Sequence, residues 1–234
     1  MKLSIVIPVY NEEKYIGRTL KSVQSLEKND WDVEVLVVDG GSNDDTVRIA
    51  REWGAKVISV THKGIGFARQ QGLKNAIGDI VLFTDADTIL ANDWLSHHVE
   101  ALKRPGVVFS YGPFKVTDGS FPYYHFINYI QYYGWILLSI ILPRPFAAGQ
   151  NMAFWREAGE RIGGFDTNLL ILEDTDFSLR IAKIGKTAFV KDALVYSSGR
   201  RSKEGWQFFF RITKAIFKYF ILGKRHLEIF PDFR

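Results

Sequence analysis

The first part of the chain alternates short, unbroken apolar runs with segments whose apolar residues recur at helical spacing. The runs at residues 3–9, 33–38, 56–60 and 79–84 are too short for helices and mostly rich in β-branched residues, so each predicts a buried strand. Strands without polar alternation, separated by helices, indicate an α/β fold with a mostly parallel sheet covered on both faces.

Polar residues follow three of these predicted strands directly. They are Tyr10, Asn11 and Glu12 after the first strand, Asp39 with two glycines after the second, and Asp85 and Asp87 after the fourth. Ligands on parallel sheets bind beyond the carboxyl ends of the strands, so these side chains are expected to converge on one crevice. Asn11 is also predicted to be the N-cap of the first helix.

The remaining elements are predicted from the same patterns. Helices are expected at residues 46–53, 67–76, 152–161 and 177–183, and short strands at residues 187–190 and 195–197. The chain has no cysteine, which excludes a disulfide framework, a thiolate metal site and a cysteine nucleophile. Its first residues lack the long apolar region of a secretory signal, and the absence of cysteine is consistent with the cytosol.

Residues 119–143 contain no Lys, Arg, Asp or Glu over 25 positions, which is long enough to span a membrane. Polar residues and a proline interrupt the first part of this segment, however. A span would also place the acidic residues before and after it on opposite sides of the membrane. A helix at a membrane interface, or a hairpin packed on the domain, is therefore the preferred prediction.

The end of the chain is basic and aromatic. From Arg200 onward it has nine Lys or Arg residues and three Asp or Glu residues. Arg211, Lys214 and Lys218 are spaced to form one cationic stripe on a helix, beside aromatic residues such as Trp206, Phe209, Phe210, Phe217 and Phe220. This pattern is typical of a helix lying among anionic lipid headgroups. The alternatives are a helix packed on the domain with a solvated basic edge, and nucleic-acid binding, for which no motif is present.

Two acidic clusters suggest chemistry. Asp85 and Asp87 follow a buried strand and would repel each other unless a cation lies nearby, and Mg²⁺ or Mn²⁺ carrying a diphosphate is a common solution. Glu173, Asp174 and Asp176 open a predicted helix, where one carboxylate could serve as a general base. A solvated turn and favourable helix-dipole interactions are the simpler explanations.

Taken together, these motifs resemble those of the family-2 glycosyltransferases of the GT-A fold, over roughly residues 1–198. The matching segments are residues 8–12, 38–42, 63–69, 83–87 and 173–180, in that order. The resemblance implies a donor site composed of Pro8, Tyr10 and Glu12 around the nucleoside, Asp39 as acceptor for a base N–H, Arg69 near the base or phosphate, and Asp85 and the Ala86 backbone at the ribose.

The resemblance also implies the chemistry. Asp87 would bind Mn²⁺ or Mg²⁺, which neutralises the diphosphate leaving group. Asp174 would be the general base for a single in-line displacement with inversion, and Glu173 would orient the acceptor or raise the pKa of that base. A UDP-sugar is the first expectation because a uracil N–H suits Asp39. A GDP-sugar, as in the similar dolichyl-phosphate mannose synthases, is the second.

The sequence departs from the family pattern at two places. Many members have a metal-binding His after the last strand, where this chain has Ser197 and Ser198. The Gln-x-x-Arg-Trp motif of processive members is also absent, which argues against polymer synthesis. Arg200 and Arg201 lie close by in the sequence and are predicted to contact the diphosphate.

The predicted organisation has a catalytic domain at residues 1–198 and a membrane-interface tail at residues 199–234. Within the domain, a nucleotide-sugar half ends near residue 118 and an acceptor half begins near residue 144. The expected partners are a nucleotide sugar, a lipid-linked acceptor and the anionic cytoplasmic surface of the cell membrane. A nucleotidyltransferase on a related fold and a non-catalytic membrane-associated nucleotide-binding module remain as alternatives.

Overall fold

The computed structural model describes residues 1–61, 64–141, 145–169 and 171–220. Parts of the sequence predictions fall on Lys63, residues 142–143, Leu170 and residues 221–234, which lie outside the described residues. The side chains of Trp206, Phe209 and Phe220 lie outside them as well.

The strands and helices alternate through the first part of the chain, as predicted. The strands are β1 (Lys2–Val9), β2 (Asp32–Asp39), β3 (Lys56–Ser59), β4 (Ile80–Phe83), β5 (Thr88–Leu90), β6 (Val107–Tyr111), β7 (Phe114–Val116), β8 (Met152–Trp155), β9 (Lys186–Phe189) and β10 (Val195–Ser197). The α-helices are α1 (Ile16–Gln24), α2 (Thr46–Glu52), α3 (Ile65–Asn75), α4 (Trp94–Leu102), α5 (Phe121–His125), α6 (Tyr132–Ile141), α7 (Arg156–Arg161), α8 (Glu173–Ile181) and α9 (Trp206–Phe220).

Seven strands form the main sheet, in the order β3-β2-β1-β4-β8-β6-β9. β3, β2, β1 and β4 are parallel, whereas β8 runs antiparallel to both of its neighbours. Val9 pairs with Asp39, and Asp39 with Ser59, so the carboxyl ends of β1, β2 and β3 are level. The loops that follow these strands therefore share one edge of the sheet, and the prediction of a mostly parallel α/β sheet is confirmed.

The two faces of the sheet carry separate hydrophobic clusters. Ile7 of β1 belongs to the cluster that contains Trp94 of α4. Its neighbour Val6 belongs to the cluster on the other face, which contains Phe177 of α8. Because successive strand residues point to opposite faces, a strand buried on both sides must be apolar at nearly every position. This explains the unbroken apolar runs, in which each fully buried side chain stabilises the fold by about 1.5–3 kcal/mol.

Two local predictions are wrong. Residues 152–161 were expected to be one helix, but Met152–Trp155 form β8, which fills the gap between β4 and β6, and only Arg156–Arg161 are helical. Buried four-residue apolar runs do not distinguish a strand from a helix. Asn11 is not the N-cap of α1, which begins only at Ile16. Asn11 has a left-handed φ of 53° and lies in the loop before the helix.

A helical segment covers much of the uncharged stretch. It consists of α5, a π-helical part (Phe126–Gln131) and α6. Tyr123 and Ile127 pack against Val116 of β7 and attach the segment to the domain. Among the described residues, none of the helices combines the length and apolar character needed for a membrane span.

The C-terminal part begins with a 3-10 helix (Arg200–Glu204) that leads into α9. Ala215 of α9 is buried in a small cluster with Ile171, and the Tyr219 hydroxyl donates a hydrogen bond of 2.6 Å to Asp176. One face of α9 therefore packs on the loop before α8 and on α8 itself. Phe210 and Phe217 are exposed, at 75% and 54% of their surface.

Candidate functional site

The loops after β1 and β2 are joined by hydrogen bonds at the carboxyl edge of the sheet. The Asn11 N–H donates to Ser42 Oγ (2.8 Å), and Asn11 Oδ1 accepts from the Asn43 N–H (3.0 Å). The Glu12 N–H donates to Thr46 Oγ1 at 2.7 Å, at the start of α2. The left-handed backbone at Asn11 thus turns the chain so that Glu12 lies buried beside the second loop.

The predicted nucleoside-binding residues at this edge differ in their exposure. Pro8 lies inside β1 and is buried, while Tyr10, just beyond the strand, is partly exposed. Asp39 is the last residue of β2 and is 3% exposed, and one of its oxygens accepts from the Ser42 N–H at 3.0 Å. Of these three residues, only Tyr10 is partly exposed, while Pro8 and Asp39 are buried.

Asp85 and Asp87 occupy the turn between β4 and β5. Asp87 precedes a strand, so it does not cap a helix. The Ala86 carbonyl accepts a 2.6 Å hydrogen bond from Thr19 Oγ1 of α1, which fixes this turn from below. Each acidic side chain has its own arginine: Asp85 contacts Arg69 and Asp87 contacts Arg200, both at 3.0 Å. These arginines offset the repulsion expected between the two carboxylates.

Arg200 connects the loop after β1 with the turn after β4. Its Nη1 and Nη2 donate to the two oxygens of Glu12 at 2.7 and 2.8 Å, and its Nε contacts Asp87. Burial raises the pKa of Asp87 to about 6, an effect that the adjacent Arg200 opposes. Arg201 is exposed, and its charge also lowers the pKa of Asp87. The predicted diphosphate-binding arginines thus lie near the predicted metal ligand, with Arg200 paired to carboxylates.

Arg69 and Glu173, predicted near the donor and the acceptor, form a buried ion pair. Arg69, on α3, is 2% exposed, and its guanidinium contacts Asp85 on one side and Glu173 on the other. Glu173 is 4% exposed, so its carboxylate is buried against Arg69. Burial raises the pKa of Glu173 to about 7, and Arg69 acts in the opposite direction. A long-range ion pair of this kind leaves no signal in a single sequence.

Asp174 stands at the beginning of α8 and is partly exposed. Its Oδ2 accepts from the Gly149 N–H at 2.8 Å, and its Oδ1 accepts from the Thr175 N–H at 2.7 Å. Leu172 has a left-handed φ of 62°, which turns the chain directly into the helix at a cost on the order of 1 kcal/mol. Two backbone amides therefore hold a carboxylate that solvent can still reach, which suits a proton acceptor.

The sequence alone did not indicate which hydrogen bonds support this edge. Ser197, where the family pattern has a His, donates to Gln150 and lies 3.3 Å from Thr88 Oγ1. The Ser198 N–H donates to the Asp87 carbonyl at 3.1 Å. Across the part of the chain that the structure describes, no three His, Cys, Asp or Glu side chains cluster as a metal site would require.

The comparisons with known proteins point to one family. The model of glycosyl transferase family 2 matches residues 4–163. The 4,4'-diaponeurosporenoate glycosyltransferase of Staphylococcus haemolyticus is 40% identical over 107 residues, which cover 43% of this chain and 27% of that protein. The poly(ribitol-phosphate) beta-N-acetylglucosaminyltransferase TarS of Staphylococcus aureus is 33% identical over 123 residues, covering 46% and 22%. The chain thus spans about a quarter of the length of these relatives.

Solved structures show the same fold. A mannosyltransferase from Pyrobaculum calidifontis, in complex with GDP-Man and Mn²⁺, superposes with a TM-score of 0.69 at 26% identity, over 91% of this chain and 60% of that one. TarS residues 1–349, in complex with UDP-GlcNAc, superpose with a TM-score of 0.66 at 22% identity, over 85% and 58%.

Proposed function

The chain belongs to glycosyl transferase family 2, and we propose that it is an inverting, metal-dependent enzyme that transfers a sugar from a nucleotide-diphosphate sugar to a lipid-linked or membrane-proximal acceptor. The observation that carries the proposal is the arrangement around Arg69, which joins the turn carrying Asp85 and Asp87 to the helix carrying Asp174. Family membership favours this function over the nucleotidyltransferase that the sequence left open.

The donor would bind over the carboxyl ends of β1, β2 and β4. Tyr10 and Glu12 would line the nucleoside pocket with Pro8 beneath them, and Asp39 would accept a hydrogen bond from the base. Asp85 and Ala86 would hold the ribose. A uracil N–H suits Asp39, so a UDP-sugar is preferred, and a GDP-sugar is the alternative. The ligands of the related structures, UDP-GlcNAc and GDP-Man, support both.

The residues after β4 fit a hard divalent cation. Asp87 provides carboxylate oxygens, which Mn²⁺ and Mg²⁺ prefer, and its pairing with Arg200 shows that this carboxylate attracts a positive group. Asp87 would hold the ion, and the donor diphosphate would provide further ligands. When bound, the ion neutralises negative charge on the leaving diphosphate. The Mn²⁺ in the Pyrobaculum enzyme supports this assignment.

Asp174 would accept the proton of the acceptor hydroxyl. As that proton moves to a carboxylate oxygen, the acceptor oxygen forms a bond to the anomeric carbon of the sugar. The bond from this carbon to the diphosphate oxygen breaks, and the nucleoside diphosphate leaves. Attack opposite the leaving group inverts the anomeric configuration. Arg201, and Arg200 once released from Glu12, would contact the diphosphate as it departs.

A membrane-proximal acceptor is supported by the exposed apolar surface. Tyr129, Ile130, Tyr133 and Leu137 are each more than half exposed on the segment that includes α6. On α9, the cationic residues lie on the same helix as the exposed Phe210 and Phe217. Such helices bind anionic interfaces. We therefore assign the protein to the cytoplasmic surface of the cell membrane as part of this proposal.

A screen of nucleotide sugars tests the function. The protein is heated with each UDP- or GDP-sugar, with and without Mn²⁺, because a ligand that binds only the folded state raises the melting temperature. Stabilising donors are then assayed for hydrolysis. Mn²⁺-dependent hydrolysis that is lost in Asp87→Ala is the expected result. Stabilisation without any hydrolysis or transfer would instead indicate the non-catalytic binding module.

A further inference from the structure

Arg69 is one of the largest fully buried side chains of the domain, although it carries a permanent charge. Its Nη2 contacts Asp85 after β4, and its Nη1 contacts Glu173, which lies 104 residues later at the start of α8. Burying a guanidinium is unfavourable unless carboxylates pair with it in good geometry. Arg69 therefore holds the loop after β4 and the start of α8 in a fixed relation, because its guanidinium pairs with a carboxylate of each.

Gly149 provides a second connection to the same guanidinium. A Cβ at this position would overlap Nη1, Nη2 and Cζ of Arg69, so only glycine lets the backbone lie against the arginine. The Gly149 N–H donates to Asp174 Oδ2 at 2.8 Å. Arg69 therefore reaches Asp174 by two routes: through its neighbour in the chain, Glu173, and through the backbone amide of Gly149.

We propose that Arg69 is a positioning residue that couples the donor carboxylate Asp85 to the base Asp174, through Glu173 and Gly149. The inference rests on the proposed function, because it takes Asp85 as a donor ligand and Asp174 as the base. A donor that binds Asp85 would shift the carboxylate that Arg69 contacts. Through its pair with Glu173, Arg69 would pass this change to the first turn of α8. The base is thereby aligned when a donor is present.

The electrostatics agree with this coupling. Burial alone would lower the pKa of Arg69, but the carboxylates of Glu173, Asp85 and Asp174 raise it, so the guanidinium stays charged. The planar fork of arginine contacts two carboxylates from fixed directions, whereas lysine offers one point charge. Lysine at this position keeps the charge but loses one of the two contacts, which makes Arg69→Lys a direct probe.

The matched control is Arg180→Lys. Arg180 also pairs with a buried carboxylate of α8, since its Nε lies 2.6 Å from Asp176 Oδ2. It contacts neither Asp85 nor Gly149 in the described structure. Arg180 is partly exposed, so this control asks whether weakening any pair between an arginine and a carboxylate of α8 lowers kcat. Gly149→Ala is a second probe, because it displaces the guanidinium without removing any charge.

Two readouts are measured for the full chain. Hydrogen exchange followed by mass spectrometry reports on peptides covering residues 147–150 and 172–176, with and without Mn²⁺ and UDP or GDP. Steady-state kinetics with the best donor gives kcat and KM. In Arg69→Lys and Gly149→Ala we expect faster exchange in both peptides, a kcat reduced about 10–100-fold and a donor KM within about threefold of wild type. Arg180→Lys should keep kcat within about twofold.

Unchanged exchange in both peptides of Arg69→Lys and Gly149→Ala overturns the inference, as does a kcat equal to that of wild type. Equal losses of kcat in Arg69→Lys and Arg180→Lys also overturn it, because they indicate a general packing effect. If Arg69→Lys does not fold, Gly149→Ala alone decides. A wild-type protein that turns over no nucleotide sugar contradicts the proposed function, and the exchange of residues 147–150 and 172–176 then decides the coupling.

Discussion

Arg200 donates to both oxygens of Glu12, 188 residues earlier in the chain, at 2.7 and 2.8 Å. Its Nε lies 3.0 Å from Asp87, and its guanidinium stacks 5.0 Å from the ring of Tyr15. One cation therefore joins a residue proposed for the nucleoside pocket to the residue proposed for the metal. A divalent ion bound at Asp87 would compete with this guanidinium for the same carboxylate.

Replacing Arg200 by Gln should therefore have two opposite effects. The free energy of unfolding should fall by about 3 kcal/mol, since two largely buried carboxylates lose their partner. The affinity for Mn²⁺ without nucleotide should rise several-fold, because the competing cation is gone. Calorimetry with Mn²⁺ and urea denaturation measure the two quantities. Arg156→Gln, which breaks a more exposed pair with Glu160, is the control. Weaker Mn²⁺ binding in Arg200→Gln would contradict the competition.

Asp87→Asn should abolish transfer and remove the Mn²⁺ dependence of nucleotide binding. The amide lacks the negative charge that a divalent cation needs. Calorimetric titration with UDP and GDP, with and without Mn²⁺, measures the effect. Asp45→Asn, an exposed acid paired with Arg48, is the control. Equal nucleotide affinity of the wild type with and without Mn²⁺ would rule out the metal site.

Asp174→Asn should reduce turnover at least ~10²-fold, as removal of a general base does. Asparagine keeps an oxygen for the Gly149 N–H, so the loop and the donor affinity should change little. Initial rates at saturating donor and a binding titration separate the two effects. If the variant turns over at the wild-type rate, the base is another residue, and Asp176 and Glu173 are tested next.

His98 should make stability depend on pH. Its Nε2 lies 3.0 Å from Asn151 Oδ1 and its Nδ1 2.9 Å from Ser110 Oγ, and burial lowers its pKa from 6.5 to about 4. Between these values the unfolded chain binds a proton that the folded chain does not. The contribution to the free energy of unfolding therefore rises with pH by up to about 1.4 kcal/mol per unit across this window. Below pH 6.5 this stabilising contribution of His98 is progressively lost.

The His98 effect is isolated by comparing wild type with His98→Gln in urea at pH 4.5, 5.5 and 6.5. Asp87 and Glu173, whose raised pKa values act in the opposite direction, are present in both proteins and cancel in the difference. His97→Gln, which removes a ring nearer the surface, controls for histidine content. Parallel stability curves for wild type and His98→Gln would show that His98 is not the titrating group.

The membrane proposal predicts binding to anionic vesicles that weakens with salt. Each surface cation contributes about 1 kcal/mol in an anionic leaflet, so replacing Arg211, Lys214 and Lys218 by Gln should weaken binding at low salt more than 10-fold. Phe210→Ser with Phe217→Ser should weaken it at all salt concentrations. Co-sedimentation measures both effects.

The control for the membrane experiment removes the same number of charges elsewhere, at Lys28, Lys56 and Lys103, which are exposed. Deleting residues 203–234 should release the protein from vesicles while leaving donor hydrolysis largely intact. If active full-length protein stays in the supernatant at low salt, the basic face of α9 is simply a solvated edge of the domain.

The sequence predicts the elements and motifs that are local in the chain. Strands buried on both faces leave apolar runs such as residues 33–38, and acids at strand ends mark the edge where a ligand binds. The pairing of Arg69 with Glu173, and of Arg200 with Glu12, depends on segments more than 100 residues apart. Neither spacing nor composition carries that information, so the sequence predicted the arginines near the donor but not the carboxylates with which they pair.

The antiparallel strand β8 has a consequence for synthesis of the chain. β4 is paired on one side with β1, but its other edge is covered only by Met152–Trp155, about 70 residues later. While the ribosome makes the intervening segment, the completed parallel strands present an open apolar edge, which favours pairing with other chains. A fragment that ends near residue 118 would keep this edge permanently. The nucleotide-binding half should therefore be produced together with β8.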